Sequence, residues 1–298
     1  MAPETREPES GVIHDIGYRH YDGPRGGRRA VRRAMYVESA RGAYGLGRAG
    51  RTKVVPALLL AAVCLPALVS VVVAAVTGAD ELPIPYSAYV LNLQVLVSVY
   101  LAAQAPVSVS RDLRFGVMSL YFSRPMERID YVLAKYAALA TAVLVLMALP
   151  LTVLLAGALL AEMPLGEQLP DYLRALGGAA LLALVLAGVG LLIAAVTPRR
   201  GLGVAAIIAV LLVLSGVQGA AQAIATEEGA PEAAGWTGLL SPYTLVDGVA
   251  RRLLGQESVL GAGPPGTAGA VVFTAVAVLL VLGCLGLLVL RYRRVSIS

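Results

Sequence analysis

The chain has few of the residues from which most enzyme sites are built. Its 298 residues include two cysteines and two histidines, and only 14% of the chain is charged. Neither of its lysines, Lys53 and Lys135, follows a glycine, so there is no G-x-x-x-x-G-K-[ST] loop to hold a nucleotide phosphate. The patterns H-E-x-x-H and G-x-S-x-G are also absent. We therefore predict that the chain does not hydrolyse ATP by a P-loop, has no catalytic site and binds no cofactor of its own.

Cysteine and histidine do not form a typical site either. Cys64 and Cys284 lie in apolar stretches, where free cysteine packs as a small hydrophobic residue, so we expect neither a disulfide nor a redox motif. Four residues near the N-terminus could ligate zinc: His14, Asp15, His20 and Asp22. Glycine and proline interrupt that segment, so no helix would hold the histidines on one face, and we predict no metal site.

Apolar residues, by contrast, are abundant. They make up 58% of the chain, and the mean hydropathy of +0.76 exceeds what one soluble domain of this length can bury. A helix that crosses a bilayer needs roughly 20 apolar residues. Six segments qualify: 54–77, 86–107, 131–160, 173–196, 202–225 and 270–290. The sequence therefore predicts an all-α polytopic membrane protein with a six-helix transmembrane domain over residues 54–290.

The basic residues predict the orientation of these spans. Of the 24 lysines and arginines, 21 fall in segments 1–53, 108–135, 197–201 and 291–298, which six spans would place on one side. By the positive-inside rule both termini are cytoplasmic, and we predict a plasma (inner) membrane protein. The net charge of +5 is spread over these segments and forms no single patch. Membrane lipids are therefore the predicted partner, and nucleic acid is not.

The region before the first span divides in two. Residues 1–30 are rich in proline, glycine, arginine and glutamate, and we predict that they are disordered. Over residues 31–53, apolar side chains recur at helical spacing against arginines, which predicts an amphipathic elbow helix at the inner membrane surface. Residues 291–298 form a short cytoplasmic tail.

A polar loop, residues 108–130, separates the second and third spans and is longer than a plain connector. Ser108 or Ser110 can cap a short helix, with Asp112 in its first turn. One face of that helix is apolar: Leu113, Val117, Leu120 and Tyr121. Pro125 biases Arg124 away from helical geometry and so ends the element. Such a helix can rest on lipid headgroups or dock on a partner protein.

The order of residues along this loop is distinctive. An acid and arginines are followed by Gly116, Leu120-Tyr121, Ser123-Arg124-Pro125 and a helix that carries Lys135. This order resembles the loop between the second and third spans of ABC-2 type permeases, the membrane subunits of ATP-driven transporters, which are mainly associated with export. In that family the loop holds a coupling helix, which inserts into a cleft of a separate ATPase subunit. The resemblance implies a permease that works as a dimer, with ATP and Mg²⁺ bound by the partner ATPase.

On this resemblance the coupling helix runs from about residue 111 to 122. Its polar residues would contact the rim of the ATPase cleft: Arg111, Asp112 and Arg114. Its apolar residues would fill the cleft or pack against the membrane domain: Leu113, Val117, Leu120 and Tyr121. Phe115 belongs to the same ATPase-coupling segment, and Gly116 would let the two backbones approach closely.

The other large loop, residues 226–269, carries a helix of its own. Ser241 can cap it, Pro242 suits its first position, Arg251 and Arg252 fall in its last turn, and Gly255 ends it. This resembles the short external or re-entrant helix that covers the pathway before the last span of ABC-2 permeases. A peripheral helix with no role in transport is the alternative.

Polar side chains inside the predicted spans are few and uncharged. Asn92 and Gln94 lie in the second span, and Gln218 and Gln222 share one face of the fifth. A charge at the bilayer centre costs roughly 2.5 to 3.5 kcal/mol on insertion scales, so the absence of mid-span acids argues against proton or sodium coupling. The amides line a pathway or join helices to one another. Small residues four apart fit close helix contact, including contact across a homodimer: Ser215/Gly219 and Gly216/Ala220.

Two further functions stay open. One is an integral membrane enzyme that acts on lipid-linked substrates, for which Asp112, Glu127 and Asp130 are candidate acids. Each of these has a neighbouring arginine, however, and a solvated ion pair is the simpler use of such a carboxylate. The other is a membrane scaffold that transports nothing.

Overall fold

The computed structural model describes residues 26–47, 50–79, 81–116, 126–197, 199–256 and 263–294, together with Gly23 and Tyr121. Of Arg111 and Arg294 only the backbone is described. Within these residues the chain forms helices and turns and no strand. The helices are α1 (Arg28–Ala43), α2 (Arg51–Thr77), α3 (Tyr86–Asn92), α4 (Gln94–Arg114), α5 (Arg128–Leu160), α6 (Leu165–Val196), α7 (Arg200–Glu227), α8 (Pro231–Trp236), a 3₁₀ turn (Thr237–Leu240), α9 (Pro242–Leu253) and α10 (Gly266–Arg294).

Five helices are long and apolar enough to cross a membrane: α2, α5, α6, α7 and α10. The pair α3 and α4 meets the same criteria together, with a bend of 55° between the two, and would be the sixth span. The prediction of an all-helical chain compatible with a multi-pass membrane protein is therefore confirmed. Several helices are longer than the apolar segments, because polar first and last turns continue the same backbone hydrogen bonding.

The second predicted span differs from the structure. Its helix is interrupted at Leu93, and α4 then continues past residue 107 to Arg114, so no separate helix begins at Ser108 or Ser110. Ser110 does not act as a cap, since its hydroxyl is buried and donates to the Ala194 carbonyl of α6 at 2.9 Å. The prediction that Ser108 or Ser110 caps the start of a separate helix is therefore wrong.

The N-terminal helix also differs from its predicted bounds of 31–53. The elbow helix α1 starts at Arg28, inside the segment predicted to be disordered, and ends at Ala43, well before residue 53. The turn after it includes Gly45 in the left-handed region (φ +68°), where a Cβ atom would lie 2.6 Å from the Thr52 carbonyl oxygen. Only glycine fits such a turn. Tyr44 in the same turn donates to the Ala142 carbonyl at 2.7 Å, which fixes the turn to α5.

The bundle has two polar ends. At one, which we call the Asp130 end, α1 contacts the start of α5, and Tyr131 packs on Tyr292 near the end of α10. At the other, the Tyr86 end, the Tyr86 hydroxyl of α3 donates to Gln168 of α6 at 3.0 Å. Helices α5 and α6 form the centre of the core, whereas α2, α7 and α10 expose long apolar sides. Exposed apolar sides of this kind suit contact with lipid or with another membrane chain.

Close packing of α2 on α5 depends on Gly157. A Cβ atom at that position would lie 2.1 Å from the nearest methyl group of Val71. Valine has little rotamer freedom in a helix, so it cannot move aside without shifting its backbone. The small residue therefore sets the distance between these two helices.

We predict that Gly157→Leu lowers the stability of the detergent-solubilised chain by about 1 to 3 kcal/mol, because the side chain overpacks the contact with Val71. Gly283→Leu on α10 is the matched control, since nothing lies within 4 Å of its Cβ position. Thermal unfolding followed by circular dichroism compares the two. Equal melting temperatures for both variants would contradict the role of Gly157 in the packing of α2 on α5.

Candidate functional site

The Asp130 end contains a cluster of charged residues that we call the Asp130 cluster: Arg28, Arg32, Glu127 and Asp130. Glu127 caps α5, and its backbone N–H donates to the Asp130 carboxylate at 3.2 Å, which completes a capping box. The Arg28 guanidinium donates to both carboxylates, and Arg32 lies 3.6 Å from Asp130. The hydrogen bond to Asp130 raises the pKa of Arg28 above its ordinary value. The start of the elbow helix is thereby attached to the start of α5.

One turn further into the bundle lies the Asp112 cluster: Asp112, Tyr131 and Lys135. The Lys135 ammonium nitrogen lies 3.0 Å from Asp112 Oδ2, and the Tyr131 hydroxyl donates to the same oxygen at 2.8 Å. The two charged side chains are only 10% and 15% exposed. A buried ion pair is tolerated when further hydrogen bonds satisfy its lone pairs, as Tyr131 does here. The cluster therefore joins the end of α4 to α5 through a desolvated charge pair.

Aromatic packing extends this junction to two more segments. The Tyr131 ring lies 5.9 Å from the ring of Tyr121, in the loop after α4, and 5.1 Å from the ring of Tyr292, near the end of α10. Ring pairs at these distances stabilise a structure beyond their buried area. Tyr131 is thus the residue at which the loop, α4, α5 and α10 meet.

Some of the predicted coupling residues contact the rest of the chain, and others are exposed. The Asp112 carboxylate contacts Tyr131 and Lys135 within the chain, and its contact with an ATPase stays a prediction. Leu113 and Tyr121 pack against the core, which is the second of their two predicted roles. Arg114 is exposed, with its guanidinium carbon 5.7 Å from the centroid of the Phe115 ring.

Among the described residues of this segment, Phe115 and Gly116 are exposed next to Arg114. Phe115 is 67% exposed, and Gly116 follows it in the left-handed backbone region at φ +63° with open space at its Cβ position. A left-handed residue after the last helical turn is a frequent way to end a helix, and glycine adopts it without strain. The Arg111 side chain and the whole of Val117 and Leu120 lie outside the described residues.

The four predicted pathway amides lie on two parts of the chain. Asn92 and Gln94 flank the break between α3 and α4, and the Gln94 backbone carbonyl accepts a hydrogen bond from Tyr243 at 3.0 Å. On α7 the Gln218 amide nitrogen donates to the Gln222 side-chain oxygen at 2.6 Å. The pathway role of the four residues stays a prediction.

The loop over residues 226–269 contains a helix at the predicted place, α9, whereas its external position stays a prediction. Ser241 caps it by accepting the Tyr243 N–H at 3.4 Å, Pro242 is its first residue, and Gly255 follows its end at φ +67°. Most of the helix is buried in the bundle, and the Tyr243 and Ser98 hydroxyls share a hydrogen bond of 2.6 Å. The element is therefore part of the bundle and not a surface attachment. The neighbouring helix α8 was not predicted.

Sequence reasoning missed how the junction is formed. From the sequence, Glu127 and Asp130 are candidate enzyme acids or members of solvated ion pairs, although their spacing, with a hydrophobic run after them, is that of a capping box. Arg28 and Arg32, one turn apart, were assigned to disorder and to the elbow separately. Within the described ranges no group of three or more histidine, cysteine or acidic residues could hold a metal ion. The segment with His14 and His20 lies outside those ranges.

No protein-family model matches the chain, and no curated protein gives a significant match to it. The site is therefore interpreted from its own geometry.

We predict that Lys135→Met lowers the stability of the chain by about 3 to 5 kcal/mol, because it leaves the Asp112 carboxylate buried without its counter-charge. The double variant Lys135→Met/Asp112→Asn should recover part of this loss. Arg174→Met is the matched control, because the Arg174–Asp171 pair is exposed on both sides and should change stability by less than about 1 kcal/mol. Chemical unfolding in detergent measures all four proteins. Similar losses for Lys135→Met and Arg174→Met would show that the Asp112 pair is not buried.

Proposed function

We propose that this chain is the membrane subunit of an ATP-driven transporter of the ABC-2 permease type, and that it works in export. A separate ATPase subunit would bind ATP and Mg²⁺, and two copies of the chain would form the translocation pathway. The loop between α4 and α5 would receive the movement of the ATPase. Two features of that loop support this function. Its sequence resembles the corresponding loop of ABC-2 permeases, and the residues that flank it contact one another in the structure.

The observation that carries the proposal is the anchoring of both ends of this loop in one junction. Asp112, just before the loop, is bound to Lys135 and Tyr131, just after it. Tyr121, within the loop, packs on Tyr131 as well. A force on the loop would therefore act on α4 and α5 together, and through Tyr292 on α10. A connector without a mechanical role has no need of a desolvated ion pair at its base.

The exposed residues next to this junction are those that a partner could contact. Arg114 and Phe115 project from the end of α4 beyond the Asp112 cluster. Arginine and aromatic side chains are enriched among the residues that dominate protein–protein binding energies. We assign the contact with the ATPase to these two residues, and the transmission of its movement to Asp112 and Lys135.

The arrangement of the helices supports the proposed membrane orientation. Both α1 and the end of α10 lie at the Asp130 end, in agreement with an even number of crossings. Most of the basic residues that the structure describes also lie toward that end, so the positive-inside rule would place it on the cytoplasmic side of the plasma (inner) membrane. An ATPase in the cytoplasm could then reach Arg114.

The acids that a membrane enzyme would use are already bound within the chain. Asp112 is paired with Lys135, and both Asp130 and Glu127 are paired with Arg28. Ion pairs of this kind account for the three carboxylates without a catalytic role. Among the described residues, the structure therefore offers no specific observation in favour of the enzyme.

We predict that the tagged wild-type chain, extracted from its native membrane in mild detergent, co-purifies with a P-loop ATPase. The variant Arg114→Glu/Phe115→Ala should recover about tenfold less ATPase, because a charge reversal and loss of the aromatic ring remove the main contacts. Mass spectrometry of the eluate measures the ratio of ATPase to bait.

The matched control is Arg174→Glu/Leu173→Ala, which makes the same kind of change at exposed positions of α6 near the Tyr86 end. It should recover the ATPase at the wild-type level. Absence of any P-loop ATPase from the wild-type eluate would contradict the proposed function. Equal recovery with both double variants would contradict the assignment of Arg114 and Phe115.

A further inference from the structure

A cavity of about 830 Å³ opens at the Asp130 end between α1, α4 and α5. We call it the elbow cavity, because the elbow helix α1 forms one wall. Its volume lies within the range of ligand pockets, about 300 to 1,000 Å³. It adjoins the outward surface at the end of α4, because Phe115 lines the cavity whereas Arg114 does not.

One wall of the elbow cavity is a polar stripe on α4. Gln104, Ser108 and Asp112 follow one another at intervals of four residues, so they lie on the same helix face. Gln104 is only 7% exposed, and it lines the cavity. Its side-chain amide has one oxygen that accepts and two N–H groups that donate hydrogen bonds, so a polar group in the cavity can bind to it.

The charges around the cavity favour a cationic group. The Lys135 ammonium and the Tyr131 hydroxyl both contact Asp112 Oδ2, which leaves Oδ1 able to accept a further hydrogen bond. Glu38, which is exposed, adds a second carboxylate to the lining. With Lys135 already neutralised by Asp112, an anion would meet more negative than positive charge. An ammonium group would find acceptors at Asp112, Glu38 and the Gln104 amide oxygen.

The remaining walls are apolar. Val31 and Met35 contribute from α1, Leu139 from α5, and Phe115 from the end of α4. An apolar wall opposite a polar stripe is complementary to a molecule with a polar head and an apolar chain. Each methylene of such a chain that leaves water for this wall strengthens binding.

We propose that the elbow cavity binds an amphiphile with an ammonium head group, the head on Gln104 and Asp112 and the chain against α1. Two sources share this chemistry: an ethanolamine headgroup of a membrane lipid, and a free amphiphilic amine. The binding is a property of the chain alone, so it does not rest on the proposed function and stands or falls separately from ATPase recovery.

The test is native mass spectrometry of the full-length chain in detergent. The chain is titrated with phosphatidylethanolamine and with phosphatidylglycerol of the same acyl chains, and in a second series with decylamine and decanol. We expect phosphatidylethanolamine or decylamine to bind about tenfold more tightly than its partner that lacks the ammonium group. Preference in the first series identifies the lipid, and preference only in the second identifies the free amine. Equal binding within both pairs overturns the proposal.

Two variants locate the bound molecule. Ala34→Phe places a ring in the elbow cavity and should weaken binding about tenfold, whereas Val37→Phe, an exposed position of α1 outside the cavity, should change binding less than about twofold. Gln104→Leu keeps the side-chain volume similar and should weaken binding of the ammonium compound only, which provides a second test should Ala34→Phe fail to fold. If Ala34→Phe and Gln104→Leu both bind the ammonium compound as tightly as the wild type does, the elbow cavity is not its binding site.

Discussion

The buried ion pair between Asp112 and Lys135 is the interaction on which the Asp130 end of this protein depends. Lys135 is one of only two lysines in the chain, and it lies in a helix that is apolar beyond it and long enough to cross a membrane. A lone ammonium group there would be costly to bury, so α4 must place a carboxylate next to it. That requirement sets the position of α4 relative to α5, and it explains why α4 continues past the apolar segment to Arg114.

A second layer of charge fixes the elbow helix to the same place. Asp130 is 1% exposed and takes both Arg28 and Arg32 of α1, while it also closes the capping box of α5. The Asp130 carboxylate thus caps the start of α5 and also binds α1. Because the Asp112 cluster lies one turn deeper on α5, the elbow helix, the loop and the last helix are all attached to the first two turns of α5. The elbow cavity lies between these attachments, and movement of the loop would change its shape.

The two ends of the bundle are stabilised by different chemistry. Between helices, the Asp130 end uses ion pairs together with tyrosine rings, whereas the contacts at the Tyr86 end include neutral hydrogen bonds from Tyr86 to Gln168 and between Tyr243 and Ser98. The Arg174–Asp171 ion pair near the Tyr86 end is exposed and lies within a single helix. Neutral hydrogen bonds tolerate a rearrangement better than a desolvated ion pair, since breaking them exposes no uncompensated charge.

Local sequence signals by themselves determined the helical character, the apolar helices and α9, because span length, helix caps and terminating glycines act within a few residues of one another. Ser241, Pro242 and Gly255 are an example, and the structure confirms their roles. The tertiary structure alone decided the break at Leu93, the continuation of α4 and the inward position of Asp112. It also decided that Arg28, about a hundred residues away in sequence, binds Asp130, and that Gln104 lines a cavity. These features depend on which helix faces meet, and hydrophobic periodicity specifies that a face is buried without specifying its partner.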